Sequence, residues 1–473
     1  MSGGISSGLG LAYGSFTLVL ALGLTGLWLV SLVLLYRRDR GWRSIPLSLL
    51  GWSWIGFGLA FVARFWVLSI DAVNFGDMSE RLVAMPPSVI DQALLLSLLY
   101  WGSVLLAYRL VPVPRVNPLS SVDAVAGGRR AVAAFDALAV IAVVAMVLEA
   151  DVERTPPALV RPLSLIGSLW VVPAVSAWFL ALRDGRPRLA VRRWIYLLPG
   201  LVSFALEPFR ERLLLMLLIP LIAALCAGRG PRLAPLLLVL AIFAITSTLA
   251  VSWYRQVVWD GESVMATNEY LDPAVWRKDP YYAPWTALLR RFHSFDSLVF
   301  HAYLVPDVVP FEERNPFLDM LLEGFVPRAL WPDKPESRRA MIFSVTLWSY
   351  GEEDRGAEAN IAPSMAGDLY GVGGWLWVAL GAAAWGVLLA VLDCWRERLS
   401  PGGQAVVIAM LALLAAGGIE RDFPRAAATL LQSAIVLAVA TVVLRRALGP
   451  GRARPGGSPS PAGEWSREPA QVS

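Results

Sequence analysis

Runs of roughly 20 apolar residues recur along this chain, each long enough as a helix to cross a hydrocarbon layer about 30 Å thick. They leave little freedom in the fold. Hydrophobic residues make up 56 % of the sequence and charged residues only 16 %, against about 25 % charged in an average soluble domain. The fold class expected is an all-α polytopic integral membrane protein of about eleven transmembrane helices. The apolar runs fall at 11–36, 45–70, 89–111, 131–150, 160–182, 194–208, 213–228, 234–254, 371–392, 404–419 and 426–444. Residues 194–228 are the least regular: they read either as two full spans with a tight turn at Glu207–Arg212 or as a pair of half-inserted helices. The N-terminus lacks a basic n-region and a small-residue cleavage site, so the first run reads as a retained span.

Arginine gives the expected orientation. It clusters at Arg37, Arg38, Arg40 and Arg43, at Arg109, Arg115, Arg129 and Arg130, between Arg183 and Arg193, at Arg229 and Arg232, at Arg396 and Arg398, and at Arg445 and Arg446. These are alternate loops, and placing all of them in the cytoplasm satisfies the positive-inside rule. The N-terminus is then expected outside and the tail inside. The net charge of +4 belongs to those loops and implies no nucleic acid. The two cysteines, Cys226 and Cys394, end apolar runs on the arginine-rich side and read as free thiols.

Four parts follow: a bundle of about eight spans over 1–253, a large extracytoplasmic loop with short helices over 254–370, a bundle of about three spans over 371–444, and a tail over 445–473. The tail is rich in Pro, Gly and Ser and is expected to be disordered. The long loop holds both histidines, His293 and His301, and both lysines, Lys278 and Lys334. Over 284–304 it shows helical periodicity, with Leu288, Phe292, Phe295 and Val299 on one stripe. His293 and Asp296 are i,i+3 neighbours, a spacing that lets an imidazole and a carboxylate meet and form a general base; the plainer reading is a surface helix lying on the membrane. The histidines are eight residues apart, which suits no zinc pattern, and no cysteine is near, so no metal is expected. The string GFVPRALWPDKP (324–335) puts Arg328, Asp333 and Lys334 on a proline-stiffened turn.

Among charges inside the spans, Arg64 is expected to snorkel outward or to contact an anion in an outward-facing cavity. Asp136 and Glu149 read as interfacial. The outer turns Arg210-Glu211-Arg212 and Glu420-Arg421-Asp422-Phe423-Pro424-Arg425 either neutralise themselves or present guanidinium forks to a lipid-linked phosphate.

GFVPRALWPDKP, followed about 25 residues later by NIAPSMAGDLYGVGGW, resembles the bacterial O-antigen and exopolysaccharide repeat-unit polymerases of the Wzy type. Members have many spans, a large periplasmic loop late in the chain with an IPRxLWPxKP-like turn, and an APSxxGExYxxxG segment leading into the next span. Asp368 stands where Glu is commoner. The resemblance implies a GT-C-like glycosyltransferase of the bacterial inner membrane that passes a growing glycan from undecaprenyl pyrophosphate to a newly flipped lipid-linked repeat unit. It implies no cofactor, because the donor is already activated. Its partners are lipid-linked glycans and membrane lipids, with a chain-length regulator and a flippase acting alongside. Guanidiniums would stabilise the leaving pyrophosphate; Arg210, Arg212, Arg290, Arg291, Arg328, Arg421 and Arg425 are the candidates, with Lys334 supporting. His293, Asp296, Glu358 and Asp368 are the candidate bases. Three alternatives remain: an O-antigen ligase-like transferase, a lipid-linked oligosaccharide flippase or transporter, and a non-catalytic scaffold. The absence of a visible internal repeat counts against a transporter.

Overall fold

The protein is a polytopic helical membrane protein. Its computed structural model describes residues 15–39, 45–70, 85–112, 129–151, 155–185, 187–206, 210–229, 293–312, 314–326 and 363–448, with positions 274 and 331. Among these, nine helices are long and apolar enough to cross a membrane, and Arg212–Cys226 is a shorter apolar helix. Ten of the eleven expected runs therefore coincide with apolar helices. The run at 234–254 and the tail beyond 448 lie outside the described residues.

The first half-bundle begins with α1 (Ser15–Asp39). A bent rod follows, made of α2 (Leu49–Phe57), a π-helical turn (Gly58–Ala63) and α3 (Arg64–Ile70). Next comes α4 (Pro87–Leu110), with proline at its start where no amide partner is needed. The second half-bundle contains α5 (Arg129–Ala150), α6 (Pro157–Gly167), α7 (Val171–Asp184), α8 (Pro187–Ile195), α9 (Leu198–Leu206) and α10 (Arg210–Cys226). Two short helices of the polar segment, α11 (Ser294–Leu304) and α12 (Pro316–Phe325), precede the last three: α13 (Met365–Glu397), α14 (Pro401–Gly417) and α15 (Phe423–Leu448). Helix α13 packs along α4, α14 touches α2, α7, α10 and α15, and α12 lies against α15. The halves are thus joined by the C-terminal helices.

With lipid as apolar as leucine, such helices associate by close backbone approach and polar bridges. A Cβ on Gly386 would lie 2.3 Å from the Val104 carbonyl oxygen of α4, and one on Gly56 2.3 Å from the Ala416 carbonyl oxygen of α14. Tryptophans add reciprocal bridges. The Trp28 and Trp54 rings stack at 4.4 Å, and each indole N–H donates to the other residue's carbonyl, at 3.1 and 2.8 Å. At the arginine-rich end, fully buried Asp393 accepts from the Leu49 amide (3.0 Å) and from the Tyr108 hydroxyl (2.9 Å), with Arg396 Nε at 3.1 Å. One carboxylate there caps α2 and ties it to α4 and α13.

Three sequence expectations change in detail. Arginine-rich 187–195 is helical and leads into α9, so the sixth span starts before 194. The helix expected over 284–304 is described only from Ser294. It is not a surface helix: every residue from Ser294 to Ala302 is buried, between α4, α13 and the π-helical turn. The ninth span starts at Met365, six residues early, but is broken by non-helical Gly373 and Gly374.

Gly386→Ala is expected to destabilise the protein by about 1–3 kcal/mol, because the methyl must displace backbone, whereas Gly102→Ala, with open space around it, should cost nothing. Thermal unfolding of the purified protein in detergent measures both.

Candidate functional site

Among the described residues, the polar-segment end of the bundle holds buried Arg64, Asp296, Asp368 and Asp422. The first group begins with Arg64, directly after the π-helical turn. Such turns are frequent at functional sites because they re-aim the residues that follow. Arg64 does not snorkel. It is 3 % exposed, and Asp296 is fully buried. Arg64 Nε donates to Asp296 Oδ1 (3.0 Å) and Nη2 to Oδ2 (2.6 Å), a two-point fork. The Phe65 and Phe295 rings meet edge-on at 5.5 Å beside it. The carboxylate expected to face His293 is therefore engaged by an arginine 232 positions away. His293 stands half-buried at the helix start without capping it.

The second group centres on Arg314, between α11 and α12. It bridges Glu312, Asp319 (3.1 Å) and Asp368. Burial works against its charge, but Asp368 and Glu312 outweigh that and hold its pKa above the ordinary guanidinium value. Asp368, 5 % exposed, uses its other oxygen to accept the Phe423 amide at the start of α15 (3.1 Å). The Glu312 amide donates to the Gly371 carbonyl (2.9 Å), and the Tyr370 hydroxyl accepts from Gln92 (2.6 Å). The polar segment is thereby stitched to α4, α13 and α15.

Local backbone explains how Asp368 reaches this place. Met365–Val372 is a fully buried helical piece, ended by Gly373 and by Gly374 at φ 73°. Ser364 opens it: its side chain accepts the Gly367 amide at 3.1 Å, while its own φ of 57° and ψ of 154° fall in a region normally left to glycine. Such a residue stores about 1–3 kcal/mol of strain and persists only where surrounding contacts hold it. Gly367 and Gly371, one turn apart, receive the His301 ring; a Cβ at Gly367 would lie 2.7 Å from His301 Nδ1. That nitrogen is 2.7 Å from the Ser297 carbonyl. A proton on Nδ1 satisfies that contact and makes Nε2 the acceptor. Burial holds the imidazole below its ordinary 6.5, while Ser297, Asp368 and Glu312 pull the other way.

The third group is cationic. Arg421 and Arg425 flank the start of α15, where Asp422 Oδ1 caps the Arg425 amide at 2.9 Å. Arg161 of α6 donates to Thr429 Oγ1 (2.7 Å) and Gln432 Oε1 (3.0 Å). Gln432 in turn donates to the Gly324 carbonyl of α12. An apolar cleft lined by Phe135, Val172, Phe179, Ser400 and Leu437 lies by the α13–α14 turn, at the other end of the bundle.

The profile of one protein family, described as Domain of unknown function (DUF8712), matches residues 132–415. The chain belongs to that family. The matched region holds Asp296, His301, Arg314 and Asp368 but stops short of Arg64 and α15. No curated protein and no solved structure matches the chain.

Of the residues singled out from sequence, Asp368 and the Arg421–Arg425 turn come together through the Phe423 amide. Asp296 joins Arg64 instead. Arg212 lies in the first turn of α10, which packs on α7 and α14. Arg290, Arg291, Arg328, Lys334 and Glu358, together with the side chain of Arg210, lie outside the described residues. Arg314, His301 and Arg161 were not singled out. Arg314 carried one signal, its place just before the Asn315-Pro316 helix start.

Two outcomes follow. Asp296→Asn or Arg64→Leu should each destabilise by about 3–5 kcal/mol, because a lone buried charge remains, while Arg64→Leu with Asp296→Leu should recover most of that loss; a double-mutant cycle by thermal unfolding measures it. For His301, the unfolded chain takes up a proton before the folded one does. Stability is therefore whole above about pH 6.5 and falls as pH drops, by up to about 1.4 kcal/mol per unit. His301→Gln should show a shallower slope between pH 6.5 and 5 in the same assay.

Proposed function

We propose that this chain is a glycosyltransferase of lipid-linked glycans, a polysaccharide repeat-unit polymerase of the bacterial inner membrane. The observation that carries the reading is the fate of the resembling string. Its GDLYGVGG portion is folded into the bundle as a buried half-helix, with Asp368 held between Arg314 and the start of α15. Guanidiniums from four other parts of the chain (Arg64, Arg161, Arg314 and the 421–425 turn) gather at that same end. An arrangement of fixed arginines beside a membrane suits a substrate with an anionic headgroup on a lipid. The arginine-rich loops at the opposite end favour the cytoplasm for that side, putting the polar segment outside and the C-terminus inside.

On this reading the acceptor sugar's hydroxyl oxygen attacks the anomeric carbon of the donor glycan. The carbon–oxygen bond to pyrophosphate breaks, its electron pair leaves with the lipid pyrophosphate, and the hydroxyl proton passes to a base. Asp296 is poorly placed for that role, since Arg64 grips both its oxygens away from solvent. Asp368 is engaged on both oxygens and serves better as the residue that positions Arg314 and α15. His293, half-buried at the mouth of α11, and Glu358 remain the bases. A second reading, transfer of a finished glycan as in an O-antigen ligase, takes a histidine of the polar segment as its base, and His293, half-buried at the start of α11, is less enclosed than His301.

Deletion of the gene in its host should leave single lipid-linked repeats and no ladder when the surface glycan is run on a gel. Intact lipid-linked polymer that never reaches its acceptor would favour the ligase reading, and repeats held in the cytoplasm would overturn both. In complementation, Asp368→Asn and Arg314→Gln should each reduce ladder formation about tenfold or more. Asp368→Glu should restore it, with immunoblots confirming equal membrane levels.

A further inference from the structure

At the arginine-rich end of the bundle the sequence DGRPRLAVRRWI (184–195) turns the chain back on itself. Gly185 ends α7 in the left-handed region (φ 64°), its amide donating to the Ala181 carbonyl, and Pro187 opens α8. Helix α8 then packs against α7. It is basic and amphipathic: Val191, Trp194 and Ile195 share one exposed stripe, with Arg192 and Arg193 between them. Arg193 lies four residues inside the candidate span Leu189–Leu206, about one helical turn from its end and so near the headgroups.

The two adjacent arginines are held differently. Arg192 pairs with Asp136 (3.2 Å), whose other oxygen accepts from the Tyr196 hydroxyl (2.7 Å). Arg193 lies on indoles instead: its guanidinium carbon is 4.5 Å from the Trp178 ring centre and 5.6 Å from that of Trp194. Those rings meet edge-on at 4.9 Å, so cation–π contact fixes the guanidinium against both. A ring face satisfies the charge but leaves the N–H groups in the guanidinium plane without acceptors. Among the described residues, Arg193 Nε is buried without a hydrogen-bond partner, and so is Trp178 Nε1, on a residue 8 % exposed. Buried donors without acceptors are rare and costly, and here two stand side by side. A phosphate, with negative charge and several oxygens, is the acceptor such a pair fits. Access is from the lipid side. Arg193 is only half-buried, and Trp194, the outer wall of the clamp, is 57 % exposed and has room to turn aside. Exposed Leu198 and Leu201 of α9 continue from there into the span.

We propose that Arg193, Trp178 and Trp194 form a binding site for an anionic phospholipid in the leaflet at the arginine-rich end. The phosphate accepts from the Arg193 guanidinium and the Trp178 indole N–H, and an acyl chain runs along Leu198 and Leu201. The surrounding loop carries Arg186 and Arg188 as well, and basic segments at a membrane surface favour headgroups of net negative charge. The site lies at the opposite end from the proposed chemistry and does not rest on it.

The test uses the purified full-length protein in detergent, with binding read by native mass spectrometry. The probes are phosphatidylglycerol, zwitterionic phosphatidylethanolamine, and glycerol phosphate as a headgroup without chains. Phosphatidylglycerol should bind more tightly than either of the others. Arg193→Gln should weaken its binding about tenfold, the scale of one charge-assisted contact. Trp178→Phe keeps a ring and removes the N–H, and should weaken it about fivefold. Arg192→Gln should change it by under about twofold, because that guanidinium is taken by Asp136. Unchanged affinity of Arg193→Gln overturns the site. Equal losses for Arg192→Gln and Arg193→Gln overturn it too, since they mark a diffuse basic surface. Unchanged affinity of Trp178→Phe overturns the indole's part in it. Phosphatidylethanolamine bound as tightly as phosphatidylglycerol overturns the anionic assignment, and glycerol phosphate bound as tightly overturns the lipid one. Equal elution volumes show that each variant is folded, and Trp178→Phe with Arg193→Lys serves if Arg193→Gln is not.

Discussion

The Arg64–Asp296 pair constrains the rest of this structure because neither charge tolerates isolation. Moving one ion out of water costs several kcal/mol even after relaxation, and only a close partner with good hydrogen bonds offsets it. Asp296 therefore cannot leave Arg64 without a large cost. The pair joins the bent rod of the first half-bundle to a helix of the polar segment, across 232 positions of chain. Helix α11 is consequently part of the bundle, and its apolar residues fill the space between α4, α13 and the π-helical turn. The turn itself is consistent with this: an extra residue in the rod rotates everything after it, including Arg64.

A second tie extends the same logic to the C-terminal helices. Asp368 is shared between Arg314 and the Phe423 amide, so the polar segment, the broken α13 and the start of α15 move together. The strain at Ser364 and the break at Gly373 and Gly374 belong to this tie. Without the break, a continuous helix would carry residues 365–372 straight along the axis of α13. With it, the half-helix is redirected and presents Gly367 and Gly371 to His301. Irregular backbone at such depth is tolerated only where protein or a water-filled cavity surrounds it, and here protein does.

The membrane class and ten of the span positions were legible in the sequence because a bilayer crossing is a local property: twenty apolar residues declare it without reference to anything else. Of the candidate residues, the sequence pointed to those with a local signal, Asp368 and the Arg421–Arg425 turn, and the structure brings these together through the Phe423 amide. The partner of Asp296 was not legible. His293 is its neighbour in sequence, but burial made Arg64 the stronger claim, and burial of α11 does not follow from a pattern that a surface helix would share. Asp393 and Arg161 were passed over because each sits near the end of an apolar run and looks interfacial. Their roles depend on which helices pack beside them.

Both ends of the bundle seal buried carboxylates in the same way. At the arginine-rich end Asp393 is sealed, its oxygens taken up by the α2 amides, Tyr108 and Arg396. Nothing of that carboxylate is left for a ligand to engage. At the other end the buried carboxylates are equally well held, Asp296 by Arg64 and Asp368 by Arg314 and the Phe423 amide, and the side chains of Arg161 and Arg425 stand exposed. On the proposed reading, exposed cations at this rim, on the same side as the buried and strained half-helix, are where an anionic substrate would be met.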